Sequence, residues 1–316
     1  MKALFLTECG ATSGMGHLRR CQVLARAMMA EGWACSFGLS DAGMVDAVRK
    51  EGFDAHPWVD DGINLGRADV LVLDGYHYDP ELLTRWRDRS SITMAVDDLA
   101  DRPVPADVIL NHNIYGAELD YASYNAKKVI AGPAYSLVGE NFFAAASTPR
   151  PYPAHVLVSF GGTDDGRYSL PMAEAFLTES PDIVVEVVIS PVQTPSVKFA
   201  TLQKSFGSRL VVHHGAEMPS IMGRCRILAG AAGVTVIEAL AAAVSPVVCA
   251  IADNQHINIK AMRKMGFDAF DSFDPNAMVK AALPLLHKNE QTAKKLVDAQ
   301  GPNRIIAILS EVFGKN

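Results

Sequence analysis

Short apolar, β-rich runs alternate with segments of helical spacing along the whole chain. In the first half such runs fall at 3–7, 35–39, 69–74, 92–96, 108–111 and 129–131, and several are apolar at consecutive positions. A strand with one wet face alternates apolar and polar residues, whereas a strand apolar on successive residues has both faces covered. Between the first two runs lies HLRRCQVLARAMMAEG, with Leu18, Cys21, Leu24, Ala25 and Met28 at helical spacing and Gly32 as its stop. Strand, helix and parallel strand are the unit these patterns describe. The predicted class is therefore α/β, built from doubly wound parallel sheets.

The length of 316 residues suits two domains of about 150 residues each. The stretch STPRPYP at 147–153 is extended and stiff, the character of an inter-domain linker. Beyond it the pattern restarts, with runs at 155–160, 183–189, 210–213, 227–229 and 247–251 and helical segments at 275–287 and 291–313. The expected domains are 1–149 and 150–316, with the last helix free to pack back on the first domain. Ligands of such sheets bind beyond the carboxyl ends of the strands, so the expected site is a cleft between the two domains.

Composition excludes several classes. With 49% apolar and 20% charged residues the chain has enough apolar surface to offset its ordering entropy, so it is not a disordered protein. A formal charge of −6 without a Lys/Arg block argues against nucleic acid as partner. No apolar run reaches the roughly 18 residues of a membrane span, and the opening MKALFLTECGATSGMGHLRR has too short an apolar core for a signal peptide. Cys9, Cys21, Cys35, Cys225 and Cys249 are odd in number and form no CxxC pair. A cytoplasmic monomer without cofactor or structural metal is expected.

Three places carry candidate chemistry. The first strand runs through Gly10, Gly14 and Gly16 into a helix that starts at His17. Glycines there let a ligand approach the backbone, and the helix start offers unpaired N–H groups to an anion. The positive helix end disfavours imidazolium, which suits His17 to accept a proton; it also reads as a surface histidine capping the turn. The third run ends in Asp74-Gly75-Tyr76 and the fourth in Asp97-Asp98, with Asn111, His112, Asn113 and Tyr115 after the fifth, of which one or two are expected to face the same cleft. Asp74 and Tyr76 can line the cleft, or Asp74 can satisfy the turn. Asp97 and Asp98 can hold a cation, orient a base or cap the turn. In the second half, Gly161, Gly162 and Thr163 follow a strand, and the small residues of 229–235, with Gly233, Val234 and Thr235, lead into a second helix start suited to a diphosphate. Glu238 sits one turn into that helix among apolar residues, where a carboxylate needs partners such as two ribose hydroxyls. Asn254 and Gln255 end the next strand, within reach of phosphate or sugar.

Taken in order, GMGHLRRCQVLA (14–25), LDGYHYD (73–79), VDDLAD (96–101), DVILNHNIYGA (107–117), GPAYSLVGENF (132–142), SFGGTDDG (159–166) and AGAAGVTVIEAL (229–240) resemble the nucleotide-sugar hydrolases of pseudaminic acid biosynthesis. That family acts on UDP-2,4-diacetamido-2,4,6-trideoxy-β-L-altropyranose, in a pathway serving flagellin glycosylation. It is similar to MurG-type glycosyltransferases of the GT-B fold, which have two Rossmann-like domains. The resemblance implies metal-independent hydrolysis. UDP would be held by the C-terminal domain, the sugar would lie over the N-terminal glycine loop, and water would attack the anomeric carbon with inversion. By the same resemblance His17 matches the catalytic histidine, Tyr76 the tyrosine after the third strand, Glu238 the ribose-binding acid and Asn254 a polar residue near the cleft. Leu6, Glu8, Ser13 and Gly139 stand where the family has Arg, Asp, Ile and Arg, differences that bear on the sugar. Two alternatives accompany this expectation: a glycosyltransferase using a UDP-sugar donor, and an inactive UDP-sugar-binding protein.

Overall fold

A computed structural model describes residues 1–10, 15–58, 66–78, 80–162, 164–189, 197–215, 217–287 and 296–314. Of the predicted site residues, Gly14 and Thr163 lie outside these. The chain divides into two compact units, one formed by Met1–Val138 with Gln300–Asn316 and the other by Gly139–Ala299. The division thus falls ahead of the proline-rich stretch at which 149/150 was expected. The reason is the helix α4 (Glu140–Ala145, after α1–α3 below), which packs on helices of the second unit.

The first unit is a seven-stranded sheet, every neighbour parallel, in the order β3-β2-β1-β4-β5-β6-β7. Its strands are β1 (Lys2–Thr7), β2 (Ala34–Leu39), β3 (Asp54–Pro57), β4 (Ala68–Asp74), β5 (Ser90–Val96), β6 (Val108–Asn111) and β7 (Lys128–Ala131). Successive residues of β1 serve opposite faces. Ala3 and Phe5 pack with Phe37, Leu24 and Met28, while Leu4 and Leu6 pack with Leu71, Leu73 and Trp86. This two-sided burial is why β1 reads as a continuous apolar run. Helix α1 (Gly16–Ala30) follows β1, and α2 (Val45–Lys50) and α3 (Pro80–Arg87) are later crossovers.

The last helix belongs to this unit: Gly301 abuts the backbone of Ser136, Arg304 donates to the carbonyl of Ala134 at 2.8 Å, and Ile305 and Leu309 join the core behind Phe5. A side chain at 301 would meet the Ser136 oxygen at 2.2 Å, so only glycine permits this docking.

The second unit repeats the plan with six parallel strands in the order β10-β9-β8-β11-β12-β13. These are β8 (Ala154–Ser159), β9 (Ile183–Ile189), β10 (Leu210–His214), β11 (Cys225–Ala231), β12 (Ser245–Cys249) and β13 (Ala269–Phe270). Its helices are α5 (Ser169–Glu179), α6 (Val197–Phe206), α7 (Met218–Met222), α8 (Thr235–Ala241), α9 (His256–Lys264) and α10 (Pro275–Ala282), followed by α11 (Gly301–Gly314) of the first unit. Val156, Val158, Val185 and Val187 form its core with Phe176 and Met278.

Two expectations of extent are corrected. The helix predicted over 275–287 ends at Ala282 and tightens into a 3-10 turn, Leu283–His287, where Pro284 supplies no N–H. Of the helix predicted over 291–313, residues 291–295 lie outside the described residues, 296–300 are turn and irregular chain, and the helix itself runs Gly301–Gly314. Each sheet reverses its strand order once, between β1 and β4 and between β8 and β11, and the carboxyl ends there are where doubly wound sheets bind ligands.

Candidate active site

At the β1/β4 reversal, α1 aims two side chains at the end of β4. His17 and Arg20 are three residues apart, hence neighbours on one helix face, and both are buried. Nδ1 of His17 lies 2.7 Å from Oδ1 of Asp74, the fully buried last residue of β4. Arg20 grips the same carboxylate with Nε on Oδ2 and Nη2 on Oδ1, both at 2.6 Å. A carboxylate only accepts, so the proton of the His17–Asp74 pair sits on Nδ1 and the Nε2 lone pair is left open.

Arg20 reaches further. Its Nη1 contacts Asp98 at 2.9 and 3.0 Å and donates to Nε2 of His112 at 2.9 Å. Asp98 also accepts from the Tyr76 hydroxyl at 3.0 Å and from Nδ2 of Asn113 at 2.6 Å. The Tyr76 ring is 37% exposed and meets the His17 imidazole edge-on, with centroids 4.8 Å apart.

Charge balance fixes the ionisation of this cluster. Burial opposes ionisation of Asp74 and of Asp98, but the Arg20 guanidinium outweighs it and holds both carboxyls below the usual range. Arg20 itself, penalised by burial, is kept protonated by Asp74 and Asp98. Burial and then the neighbouring Arg20 bring His112 down to about 4, so it is neutral and can accept from Arg20. Burial of the hydroxyl and the charge of Asp98 push the Tyr76 phenol up, so Tyr76 acts as a donor and a wall, not as a base.

Asp97 does not orient His17. Its Oδ1 accepts from the backbone N–H groups of Leu99 and Ala100 at 2.9 and 3.0 Å, holding Ala100 at φ 52°. Asp98 does not touch His17 either; it is engaged by Arg20, Tyr76 and Asn113. The carboxylate on the ring is Asp74; of the residues expected after the fifth run, His112 and Asn113 join the cluster, and Arg20 is the partner with no place among the expected site residues. The available signal for Arg20 was its spacing of three residues from His17.

In the second unit the β8/β11 reversal gathers the other predicted residues. Gly161, at φ +88°, and Gly162 lie in the loop after β8, and Gly233 and Val234 lead into α8. The two strands touch closely, since a Cβ at Gly230 would stand 1.9 Å from the Ser159 carbonyl oxygen. A Cβ at Gly233 would meet nothing within 4 Å, nor would one at Gly161 or at Gly16. The N-terminus of α5 is already filled, because Asp164 accepts from the N–H groups of Gly166, Tyr168 and Ser169 at 3.1–3.3 Å. Helix α8 starts without a side-chain cap, with Val234 half exposed and Glu238 partly buried one turn in. Asn254 is exposed in the turn Asp253–Gln255. Gln255 is committed to that turn, its Oε1 accepting from the Ile251 N–H at 3.0 Å.

Among the described residues no group of three or more His, Cys, Asp and Glu side chains is arranged to hold a metal ion. Nor is any described helix long and apolar enough to cross a membrane.

No protein-family model matches the chain. It is 25% identical over 280 residues to the UDP-2,4-diacetamido-2,4,6-trideoxy-β-L-altropyranose hydrolase of Campylobacter jejuni, across 85% of this chain and 98% of that one. An uncharacterised protein of Methanocaldococcus jannaschii is 22% identical over 264 residues, but this chain spans only 54% of its length. Among solved structures, MurG of Acinetobacter baumannii matches with a TM-score of 0.65 at 14% identity, over 98% of this chain and all of that one. The spinosyn rhamnosyltransferase SpnG complexed with thymidine diphosphate matches with a TM-score of 0.68 at 13% identity, over 98% and 100%. The chain therefore has the two-sheet α/β fold of the GT-B glycosyltransferases and is similar, over most of its length, to a UDP-sugar hydrolase.

Proposed function

We propose that the protein hydrolyses a UDP-linked amino sugar, of the diacetamido-trideoxy type found in the pseudaminic acid pathway, by inverting attack of water at the anomeric carbon. The observation that carries this is the His17–Asp74 pair, which leaves Nε2 of a buried histidine open at the carboxyl edge of a doubly wound sheet. In the proposed step Nε2 takes a proton from water, the water oxygen bonds to the anomeric carbon, and the bond from that carbon to the phosphate oxygen breaks. UDP leaves with the electron pair. A diphosphate is a good leaving group, so donors on the leaving side need only stabilise charge. In this reading UDP is held by the second unit, with the diphosphate at the Gly161–Gly162 loop and the start of α8, and Glu238 on the ribose hydroxyls. Backbone donors make turnover independent of divalent metal, so activity is expected to persist in chelator.

The experiment is UDP release from UDP-2,4-diacetamido-2,4,6-trideoxy-β-L-altropyranose with no acceptor present. Release is expected, with kcat lowered about 10²–10⁴-fold in His17→Ala and UDP affinity retained. Full turnover in that variant sinks the assignment. Because solved structures of like fold include glycosyltransferases such as SpnG, the alternative is transfer, revealed by release only when an acceptor alcohol is added. Tight UDP binding without turnover on a broad panel of sugars supports the inactive binder.

A further inference from the structure

A histidine that serves as base while donating to a buried carboxylate faces a conflict. The carboxylate that fixes the ring also favours the imidazolium, whose Nε2 has no lone pair to offer. Asp74 is fully buried and 2.7 Å from Nδ1, so the conflict is acute here.

The same carboxylate is engaged through both oxygens by Arg20, in a fork with both contacts at 2.6 Å. Nη2 of Arg20 also stands 3.0 Å from Nδ1 of His17, placing a fixed positive charge beside the ring. The third nitrogen, Nη1, ties the guanidinium to Asp98, which is why it cannot swing away.

The charged and titratable neighbours are few. From α1 come Arg20 and Cys21, whose thiol contacts Asp74 at 3.4 Å. From the end of β4 come Asp74 and Tyr76, with Tyr78 beyond them, its phenol raised by burial and by Asp74. From the end of β1 comes the buried Glu8, whose carboxylate is taken up by His77. From beyond β5 comes Asp98, and from beyond β6 comes His112, which touches Arg20. Residues 11–14, Ala-Thr-Ser-Gly, carry no ionisable side chain. Within the bonded trio, the carboxylates of Asp74 and Asp98 against the one guanidinium leave a single net negative charge, and a proton on His17 cancels it. Without Arg20 the excess would be two.

We propose that Arg20 is a positioning residue that neutralises Asp74 while leaving it able to orient His17, so that the imidazole is aligned by a carboxylate yet stays free to accept a proton. The proposal rests on His17 acting as the base. It makes Asp98 the anchor that keeps Arg20 in place and gives the two aspartates different tasks.

The test is an NMR titration of protein labelled with ¹⁵N in its histidine rings, over about pH 5 to 9, with the His17 signals assigned by their loss in His17→Gln. Arg20→Met is expected to move the His17 transition to higher pH by about one unit or more. Arg20→Lys, which keeps the charge, is expected to stay within about half a unit of the parent protein. An unmoved transition in folded Arg20→Met overturns the proposal; should Arg20→Met not fold, Arg20→Gln, which also removes the charge but keeps a hydrogen-bonding side chain, is read the same way and decides. No substrate enters this titration. Failure of the hydrolase reading, seen as full turnover in His17→Ala, is therefore separate from failure of the Arg20 assignment.

Discussion

Nδ1 of His17 and Oδ1 of Asp74, 57 positions apart in sequence, lie 2.7 Å apart, and this pair decides which imidazole nitrogen is open. An amide in place of the carboxylate can donate to Nδ1, and the ring would then carry its proton on Nε2. Asp74→Asn is therefore expected to lower kcat about 10²–10⁴-fold, the scale of a wrong tautomer or a lost base, with UDP affinity unchanged by calorimetry. Near-normal kcat in a variant that melts as the parent does would detach Asp74 from catalysis.

Two glycines at the β8/β11 reversal should behave oppositely. Gly230→Ala drives a Cβ into the Ser159 carbonyl, a backbone atom 1.9 Å away, and neither strand can yield inside the sheet. A stability loss of about 3 kcal/mol or more is expected in urea denaturation. Gly233→Ala places its methyl in open space at an ordinary φ, so folding should be spared. If the diphosphate lies there, UDP binding should weaken. A Gly233→Ala variant that binds UDP as the parent does would move the diphosphate elsewhere.

What could be read from sequence, and what could not, follows from burial and strand order. The central strands were legible because both faces are covered: Ala3 to Thr7 is apolar almost without interruption. Strands β3 and β13 escaped because DAHP and AF lie at sheet edges, too short or too polar to form a run. His17 was legible from its place between a glycine loop and a helix. Its carboxylate was not, since Asp97 and Asp98 form the more conspicuous acid pair. The sheet order places β4, not β5, beside β1, so the acid that reaches the first turn of α1 is the one ending β4. Arg20 reads locally as one more surface arginine. Only contacts to residues 74, 98 and 112 make it the buried centre of the cluster.

Glu238 stands on α8 one turn from its uncapped start, partly buried. If its carboxylate accepts from the ribose hydroxyls, Glu238→Ala should cost about 2–3 kcal/mol of UDP affinity, the scale of hydrogen bonds to a charged group. Calorimetry with UDP and with uracil distinguishes this role from a loss of folding: uracil makes no ribose contact and should bind both proteins alike. Equal UDP affinity in parent and variant would remove Glu238 from the nucleotide site.

His112 gives the cluster a pH signature. Burial, with Arg20 beside it, lowers its folded value from 6.5 to about 4. In the unfolded chain it protonates as pH falls through 6.5, while in the folded protein it stays neutral until about 4. The unfolded state therefore binds the extra proton across that window, and stability must fall as pH drops from neutral to about 4, by about 3 kcal/mol in all. Asp74 and Asp98 act lower down: with folded values depressed, their contribution is complete above the ordinary carboxylate range and is lost as pH falls below that range towards the depressed folded values. His112→Gln keeps an acceptor for Nη1 of Arg20 but cannot titrate. Urea denaturation of both proteins at successive pH values should show the parent losing stability between about pH 6.5 and 4 more steeply than the variant. Parallel curves would mean that His112 is protonated in the folded protein and that Arg20 is held by the aspartates alone.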